Sequence, residues 1–533
     1  MLSARSSTLR RWTPLLSRRI ARFSTSTNAA SARRQKGGPP EEHEDKWNYN
    51  RSSLFNSSAT EDSSTFNLVT ANDLEKYTRP PRGVKMLVRD FIEDSLYNPN
   101  YGYFSKQATI FDWDERPVDF SAIRDPAEFD VVVTKRYAAY EAQRQLWHTP
   151  TELFKPWYGE AIAQCLVSEY LLKYFPYEDF IIYEIGAGNG TLAMNILDFL
   201  RLHYPSVYDR TRYTIIEISD NLAQKQREKL RRSHPGVKVI HKSIFHWNSR
   251  EPAPCFFLAM EVVDNFAHDV VRYNLDTLEP YQGYVTIDSQ GEFDTIYTQL
   301  NDPLMRSFLD LRQKLGHPLP IASGFRKFPF LRRLYRNLPF AANMSQEEYI
   351  PTRLLDLLRT LRNHFPRHRL LLSDFYSLSD TIPGVNAPVV QTRVQNTMVA
   401  CETMLVHQGA FDIFFPTHFE RLRDMYEYIL SQPSTQSTQP SDLIPDRSTP
   451  LAPSVNSIAL GTDFFSSHQS PDLNRRSPLD GVSSASGLPV GERMSSVFRH
   501  AEFLETYADL GRTVLRNGEN PMLDFYKNVK FLF

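Results

Sequence analysis

A glycine-rich segment, YEIGAGNG at residues 183–190, constrains the fold of this chain more than any other feature. The apolar residues before it are typical of a buried strand, and apolar residues recur at helical spacing after it. Gly186, Gly188 and Gly190 are therefore predicted to form a strand-to-helix turn. Glycines there permit a tight turn and let a ligand approach the backbone closely, beside the helix N-terminus.

Strand and helix patterns continue to alternate after this turn. The segments RYTIIEIS, VKVIHKSI and CFFLAM are predicted strands, and DNLAQKQREKLRR is a predicted helix between the first two. Further on, TRLLDLLRTLRNHF predicts a helix that leads into the strand RLLLSDF. Two helical patterns, VKMLVRDFIEDSLYNP and EAIAQCLVSEYLLKYF, precede the turn. This alternation predicts an α/β fold with parallel βαβ units and an N-terminal helical lid.

The spacing of the glycines bears on which cofactor the turn could hold. A dinucleotide turn has its third glycine one position later, where this chain has Thr191. Glu217, at the end of the second predicted strand, is placed to bind ribose hydroxyls, with a surface carboxylate as the alternative. Its apolar neighbours in that strand favour a buried carboxylate that needs a partner.

Two more carboxylates, Glu261 and Asp264, follow the fourth strand in AMEVVDN, at the edge where open α/β sheets bind ligands. If the acceptor of the reaction is an arginine, both make physical sense, because a guanidinium stays protonated and pairs with carboxylates in a bidentate manner. The alternative is that they cap a helix or bind water.

Composition excludes several classes of protein. The net charge of the 533 residues is -1, which gives no global case for binding nucleic acid. Three distant cysteines argue against a disulfide scaffold or a cysteine-rich metal site, and we predict no metal. No apolar run approaches the ~18 residues that would suggest a membrane span.

The composition also changes along the chain. Residues 1–40 are rich in Arg and Ser and contain no Asp or Glu, which predicts a mitochondrial presequence. Residues 431–495 are rich in Ser and Pro without periodicity, which predicts a disordered insertion. The remaining predicted parts are a polar linker at 41–75, a catalytic domain at 76–430 with an irregular insertion at about 107–145, and a helix and strand at 496–533 that complete the core.

The segments YEIGAGNGTL, IIEISDNLAQKQ and AMEVVDNFAHDVV resemble, in order and spacing, three motifs of the MidA-like methyltransferase family. The resemblance covers most of residues 84–430 and 496–533. It implies a Rossmann-like class I methyltransferase core and S-adenosylmethionine as cofactor. Mitochondrial members of the family symmetrically dimethylate an arginine of a respiratory complex I subunit during assembly. The resemblance therefore implies a protein-arginine methyltransferase of the mitochondrial matrix, with a protein substrate.

The resemblance also implies roles for individual residues. The cofactor-binding set comprises Glu184, Gly186, Gly188, Asn189, Gly190, Glu217, Ser243 and Ile244, of which the last two would flank the adenine. The substrate-side set, in an N-terminal block that closes over the cofactor and acceptor, comprises Thr149, Pro150 and Glu152. The catalytic pair that lines the acceptor side comprises Glu261 and Asp264.

Several acceptor-side positions depart from the family pattern. Met260 replaces the usual asparagine, residues 145–148 replace a Gly-Asp-Phe segment, the later Asp-Tyr-Gly turn reads Asp374-Phe375-Tyr376, and FFPTHF stands where the family has a polar series. These departures leave open an alternative function, a weakly active or inactive methyltransferase-fold assembly factor. A nicotinamide-dependent oxidoreductase is disfavoured by the glycine spacing. A homodimer is one oligomeric state that the sequence leaves open.

Overall fold

The computed structural model describes residues 66–106, 108–110, 117–138, 145–147, 149–338, 342–394, 397–432 and 495–533. The predicted presequence and nearly all of the predicted Ser- and Pro-rich insertion lie outside these residues.

The strands are, in chain order, β1 (Asn67–Leu68), β2 (Val84–Leu87), β3 (Ala108–Ile110), β4 (Gln145–Trp147), β5 (Phe180–Ile185), β6 (Thr211–Glu217), β7 (Lys238–His241), β8 (Cys255–Met260), β9 (Asp269–Tyr273), β10 (Pro280–Ile287), β11 (Phe293–Gln299), β12 (Glu348–Ile350), β13 (His368–Phe375), β14 (Val389–Val394), β15 (Thr397–Cys401), β16 (Asp412–Phe414), β17 (Val497–Arg499) and β18 (Val529–Leu532).

The α-helices are α1 (Ala71–Leu74), α2 (Val88–Tyr97), α3 (Tyr103–Lys106), α4 (Pro126–Ala138), α5 (Pro150–Leu153), α6 (Trp157–Lys173), α7 (Thr191–His203), α8 (Pro205–Tyr208), α9 (Asp220–Ser233), α10 (Pro303–Lys314), α11 (Ser323–Lys327), α12 (Pro329–Arg336), α13 (Thr352–His364), α14 (Phe419–Leu430), α15 (His500–Tyr507) and α16 (Pro521–Asp524). None of these described helices is long and apolar enough to cross a membrane.

The largest sheet has seven strands in the order β17-β18-β13-β8-β5-β6-β7. The strands from β13 to β7 are parallel, and β18 runs antiparallel to both of its neighbours. Chain order runs outward from β5 to β7 on one side and returns through β8 to β13 on the other. The order therefore reverses beside β5, which is where doubly wound sheets bind their ligands. The predicted α/β fold with parallel βαβ units is confirmed.

Alternate residues of β5 face opposite layers of the core. Phe180 and Ile182 pack into one apolar cluster with α6 and α7, whereas Ile181, Tyr183 and Ile185 pack into another with α13 and α14. Both faces of the sheet are thus covered, which explains why β5 reads as a continuous apolar run instead of an alternating one.

A second sheet, in the order β1-β2-β10-β9-β12 with β11 on β10, was not predicted from the sequence. One of its strands corrects a prediction, because Val84–Leu87 forms β2 and the helix begins only at Val88. The apolar residues of this segment fit both helical and strand periodicity, and the pairing of β2 with β10 selects the strand. Helix α2 ends at Tyr97, just before Asn98-Pro99, where proline disfavours a continuing helix.

Part of the segment predicted to be irregular is helical. Helix α4 places Phe129 and Val133, four residues apart, in the core. The Phe129 ring lies 5.9 Å from the ring of Phe154, between centroids. The apolar stripe on this helix is narrow, so its charged sequence carries a weak helical signal. The end of the predicted polar linker, residues 66–75, contains β1 and α1.

Candidate functional site

The glycine turn joins β5 to α7 as predicted. Gly186, Gly188 and Gly190 have φ values of 65°, 54° and 72°, in the left-handed region that favours glycine. A Cβ atom on Gly186 would lie 3.1 Å from Cγ2 of Val262, so a side chain there would also be crowded. The turn therefore requires glycine for its backbone conformation and, at Gly186, for space as well.

Glu217 ends β6 beside this turn and is only 3% exposed, so the alternative of a surface carboxylate is wrong. Its Oε1 accepts a hydrogen bond from the Ser219 amide at 2.9 Å, and its Oε2 accepts one from Nε2 of Gln226 at 2.8 Å. The same Gln226 nitrogen donates to the Gly188 carbonyl at 2.8 Å. Burial raises the pKa of Glu217. Gln226 thus fixes the carboxylate relative to the glycine turn.

Ser243 and Ile244 follow β7 at the same edge of the sheet. The amide of Lys242, just before them, donates to the Glu217 carbonyl at 2.9 Å. The Ser243 hydroxyl accepts a hydrogen bond from the Phe245 amide at 3.3 Å, and Ile244 is buried. The structure therefore brings the two predicted adenine-flanking residues next to Glu217.

Glu184 and Asn189 make contacts within the protein. The Tyr213 hydroxyl donates to Oε2 of Glu184 at 2.7 Å, and burial raises the pKa of Glu184 to about 7. Asn189 donates through Nδ2 to Oε1 of Glu152 at 3.2 Å. Glu184 is thus a buried carboxyl inside the sheet, and Asn189 connects the glycine turn to the N-terminal block.

Glu152, in that N-terminal block, contacts the first residue of α7. Its Oε1 accepts a hydrogen bond from the Thr191 hydroxyl at 2.6 Å, and its Oε2 accepts one from Nζ of Lys155 at 3.1 Å. Thr149 caps α5 by accepting from the Glu152 amide at 3.2 Å, and Pro150 occupies the first turn of this helix. All three predicted substrate-side residues therefore lie on a short capped helix against the glycine turn.

Glu261 follows β8 with a φ of 54°, an uncommon value for a residue with a side chain. Its amide donates to the Ser373 carbonyl at 2.8 Å, which holds the strained backbone against β13. Burial, and then the charge of Asp264, raise the pKa of Glu261 well above its usual range. Burial and the charge of Glu261 also raise the pKa of Tyr158 in α6, which indicates that a phenol lies near this carboxyl.

Asp264, Asp374 and Asp412 surround the same strand ends. Oδ2 of Asp374, at the end of β13, accepts from the amides of Val263 and Asp264 at 3.0 Å each. Burial raises the pKa of Asp264 to about 7 and that of Asp374 well above its usual range. Burial and the charge of Asp264 also raise the pKa of Asp412. We call Glu261, Asp264, Asp374 and Asp412 the acidic cluster.

The acidic cluster has no cationic partner among the ion pairs found in residues 66–432 and 495–533 as far as they are described. Nor do the described residues contain a group of His, Cys, Asp or Glu that could hold a metal ion. Buried carboxylates are normally paired. The oxygens of these carboxyl groups can accept hydrogen bonds from a cationic donor.

Sequence reasoning assigned no role to three residues of this region. Asp374 is the last residue but one of an apolar strand, much as Glu217 is the last residue of another, and that pattern could have identified its role. Gln226 lies one helical turn or more inside a polar helix, where its sequence context is that of a solvated residue. Asp412 reaches the cluster through Asn265, whose Nδ2 donates to it at 3.0 Å across 147 residues, and no local pattern indicates such a contact.

Comparison with known proteins gives a family for this arrangement. The model of a family described as S-adenosyl-L-methionine-dependent methyltransferase matches residues 161–435, just over half of the chain. These residues contain the glycine turn, Glu217 and the whole acidic cluster. The helices of the N-terminal block before residue 161 lie outside the match.

Two curated relatives are similar over most of their length. The protein named "Protein arginine methyltransferase NDUFAF7 homolog, mitochondrial" from Schizosaccharomyces pombe is 26% identical over 58% of this chain and 67% of its own. The protein of the same name from Saccharomyces cerevisiae is 21% identical over 66% of this chain and 79% of its own.

Solved structures show a more distant likeness. A COG1565 superfamily member from Burkholderia thailandensis, solved with S-adenosyl-homocysteine bound, has a TM-score of 0.40 and 15% identity over 67% of this chain and 74% of its own. That likeness is too distant to assign a role to any residue.

Proposed function

Because this chain belongs to the family of S-adenosyl-L-methionine-dependent methyltransferases, we propose that it transfers the methyl group to arginine in a mitochondrial protein. The resemblance of its motifs extends the proposal to symmetric dimethylation of a respiratory complex I subunit in the matrix. The names of the two yeast relatives support arginine as the acceptor and mitochondria as the compartment. The observation that carries the proposal is the acidic cluster next to the glycine turn, which forms no ion pair within the described part of the chain.

The residues around the glycine turn fit the proposed cofactor. Gly190, the N-cap of α7, provides no side-chain cap, so the first amides of this helix are suited to a polar group of the cofactor. Glu217 uses one lone pair on each oxygen for Ser219 and Gln226, so acceptor positions remain for the two ribose hydroxyls. S-adenosylmethionine supplies an electrophilic methyl group on a sulfonium sulfur when it is bound.

The acidic cluster fits a guanidinium on the acceptor side. Asp374 accepts hydrogen bonds from three backbone amides, and we propose that these bonds orient the turn after β8. Asp264 accepts a backbone amide through Oδ1, which leaves Oδ2 for a ligand. Glu261, held in a strained conformation, is the carboxylate that we propose pairs directly with the arginine.

The chemistry then depends on position and charge. The guanidinium nitrogen forms a bond to the methyl carbon, the bond from that carbon to sulfur breaks, and the nitrogen loses one proton. Glu261 is suited to take this proton, because its raised pKa makes it a stronger base than an exposed glutamate. Holding the nitrogen in line with the methyl group supplies the largest part of the rate enhancement.

The proposal is tested by giving the purified chain isotopically labelled S-adenosylmethionine together with a mitochondrial protein extract. Hydrolysis of the labelled proteins followed by amino-acid analysis should recover the label as methylarginine. Label recovered only on lysine or on non-protein products would overturn arginine as the acceptor.

A different result would favour the alternative function. If the chain binds the cofactor but labels nothing, the departures at Met260 and in FFPTHF would point to a scaffold that has kept the fold. Rescue of a deletion by a Gly188→Val variant that cannot bind cofactor would support that scaffold. Failure of this rescue would contradict it.

A further inference from the structure

A strongly basic segment lies away from the acidic cluster, in the second half of the chain. Residues 311–346 contain seven Lys and Arg and no Asp or Glu, whereas the whole chain has a net charge of -1. Within this segment, α12 has no buried residue. A helix whose residues are all half-buried or exposed, in a chain with ample apolar core, needs a separate explanation.

The two sides of α12 differ in their contacts. On the inner side, the Tyr335 ring lies 5.2 Å from the Phe325 ring, and Arg336 forms an ion pair with Asp276 at 2.6 Å. On the outer side, Phe330 and Leu334, four residues apart, are 63% and 60% exposed. The inner contacts attach the helix to the rest of the chain. The side chains on its outer side are left exposed to solvent or to a binding partner.

Further residues extend this outer surface. Phe328, whose ring centroid lies 6.0 Å from that of Phe330, is 50% exposed, and Leu338, two residues after the helix, is 53% exposed. The exposed Arg333 lies on the same side of the helix as Phe330 and Leu334. We define Phe328, Phe330, Arg333, Leu334 and Leu338 as the α12 surface. Four large apolar side chains exposed within eleven residues mark an interaction surface, because single exposed residues are common but clusters are not.

We propose that the α12 surface docks this protein on an anionic phospholipid bilayer. Aromatic and leucine side chains on one side of a helix, with basic residues around them, are the pattern of helices that lie in the membrane interface. The cations Lys327 and Arg333, which form none of the ion pairs in the described part of the chain, would face the phosphates.

Charge and apolarity together favour lipid over two other occupants. A nucleic acid would use the cations but gain little from exposed Leu334 and Leu338, since its surface is dominated by phosphates. A second copy of the chain would bring the same excess of positive charge to the interface and would be repelled. In a bilayer, the anionic headgroups can pair with the cations of this surface, and the apolar interior can accept its aromatic and leucine side chains.

The proposal is tested by flotation of the full chain with vesicles of phosphatidylcholine, with and without phosphatidylglycerol. We expect binding to the anionic vesicles that falls with rising salt. The Phe330→Ser/Leu334→Ser double variant should weaken it by about tenfold or more, through lost apolar burial. A control pair, Leu172→Ser and Tyr177→Ser, removes side chains that are 82% and 90% exposed elsewhere and should leave binding unchanged.

Two further measurements keep the proposal falsifiable. The Arg18→Glu/Arg19→Glu variant tests whether the basic N-terminal segment binds vesicles by itself. If this variant loses binding while the α12 double variant keeps it, the proposal is overturned. Equal binding to neutral and anionic vesicles would also overturn it. So would sedimentation of the wild type as a dimer that the α12 double variant converts to a monomer. S-adenosylmethionine binding by the double variant shows that it has folded.

Discussion

Glu217 is a buried carboxylate beside the glycine turn, at the proposed cofactor site. Its two oxygens accept hydrogen bonds from Ser219 and Gln226, and only 3% of the residue is exposed. Burying a carboxylate costs free energy, because the charged group loses its contact with water. A buried carboxylate at this position therefore indicates a polar ligand.

We expect Glu217→Ala to weaken binding of S-adenosylmethionine by about 1–3 kcal/mol, because hydrogen-bonding groups would then be left unpaired in a buried site. Calorimetric titration measures this loss. Glu228→Ala, on the exposed side of α9, is the matched control and should bind as the wild type does. Equal losses in both variants would mean that Glu217 has no specific role.

Asp264 gives a prediction about pH. Burial raises its pKa from 3.8 to about 7, so the folded protein holds this proton more tightly than the unfolded chain does. The stability from this group is therefore fully present below about pH 4 and is lost as the pH rises towards 7.

The free energy of unfolding should consequently fall between about pH 5 and about pH 8, and Asp264→Asn should make this fall smaller by about 1–3 kcal/mol. Denaturant titration at both pH values tests it. The exposed Asp310→Asn serves as control and should keep the wild-type profile. A profile that Asp264→Asn leaves unaltered would contradict a raised pKa at this position.

At the scale of elements, the turn between β5 and α7 was predictable because its signals are local. The apolar run, the three glycines and the helical spacing all lie within one short stretch of chain. The glycine conformations in the structure match that prediction at each position.

A Gly186→Ala variant should destabilise the protein by about 1–3 kcal/mol, from left-handed backbone strain and contact with Val262, and should also weaken cofactor binding. Gly83→Ala separates the two causes, since Gly83 has a φ of 66° but nothing within 4 Å of an added Cβ. It should lose about 1–2 kcal/mol of stability and keep normal cofactor binding. Thermal unfolding measures the stability of both variants, and calorimetric titration measures their cofactor affinity. Loss of cofactor binding in Gly83→Ala would show that the effect is not local to the turn.

The second sheet and part of the acidic cluster were not predictable, for a different reason. Strand β2 pairs with β10 nearly two hundred residues later, and its own residues fit a helix as well as a strand. Asp412 likewise joins the cluster only through a long-range contact with Asn265. Patterns within a short window reveal periodicity, but they do not reveal which distant partner selects among the possible structures.

At the scale of the whole molecule, the chain returns to the main sheet after the segment of residues 433–494. The Ser495 amide donates to Oε1 of Glu427, in the last turn of α14, at 2.7 Å. The chain therefore leaves and re-enters the described structure at neighbouring places, and β17 and β18 then complete the sheet.

Replacing residues 433–494 with a short Gly/Ser linker should preserve folding and cofactor binding. Closing a shorter loop costs less entropy, so stability should rise by about 1–2 kcal/mol. Denaturant unfolding and calorimetric titration of the shortened chain measure both quantities. A large loss of stability would show that the replaced segment contributes to the core.

The central claim is that the acidic cluster positions an arginine for methyl transfer. Its most direct test is the rate of methylarginine formation by Glu261→Gln and by the exposed Glu505→Gln, each with S-adenosylmethionine at saturation. We predict that Glu261→Gln loses a factor of about 100 or more in rate, while its cofactor affinity stays near that of the wild type and Glu505→Gln is unaffected. Methylarginine formation by Glu261→Gln at the wild-type rate would contradict the claim.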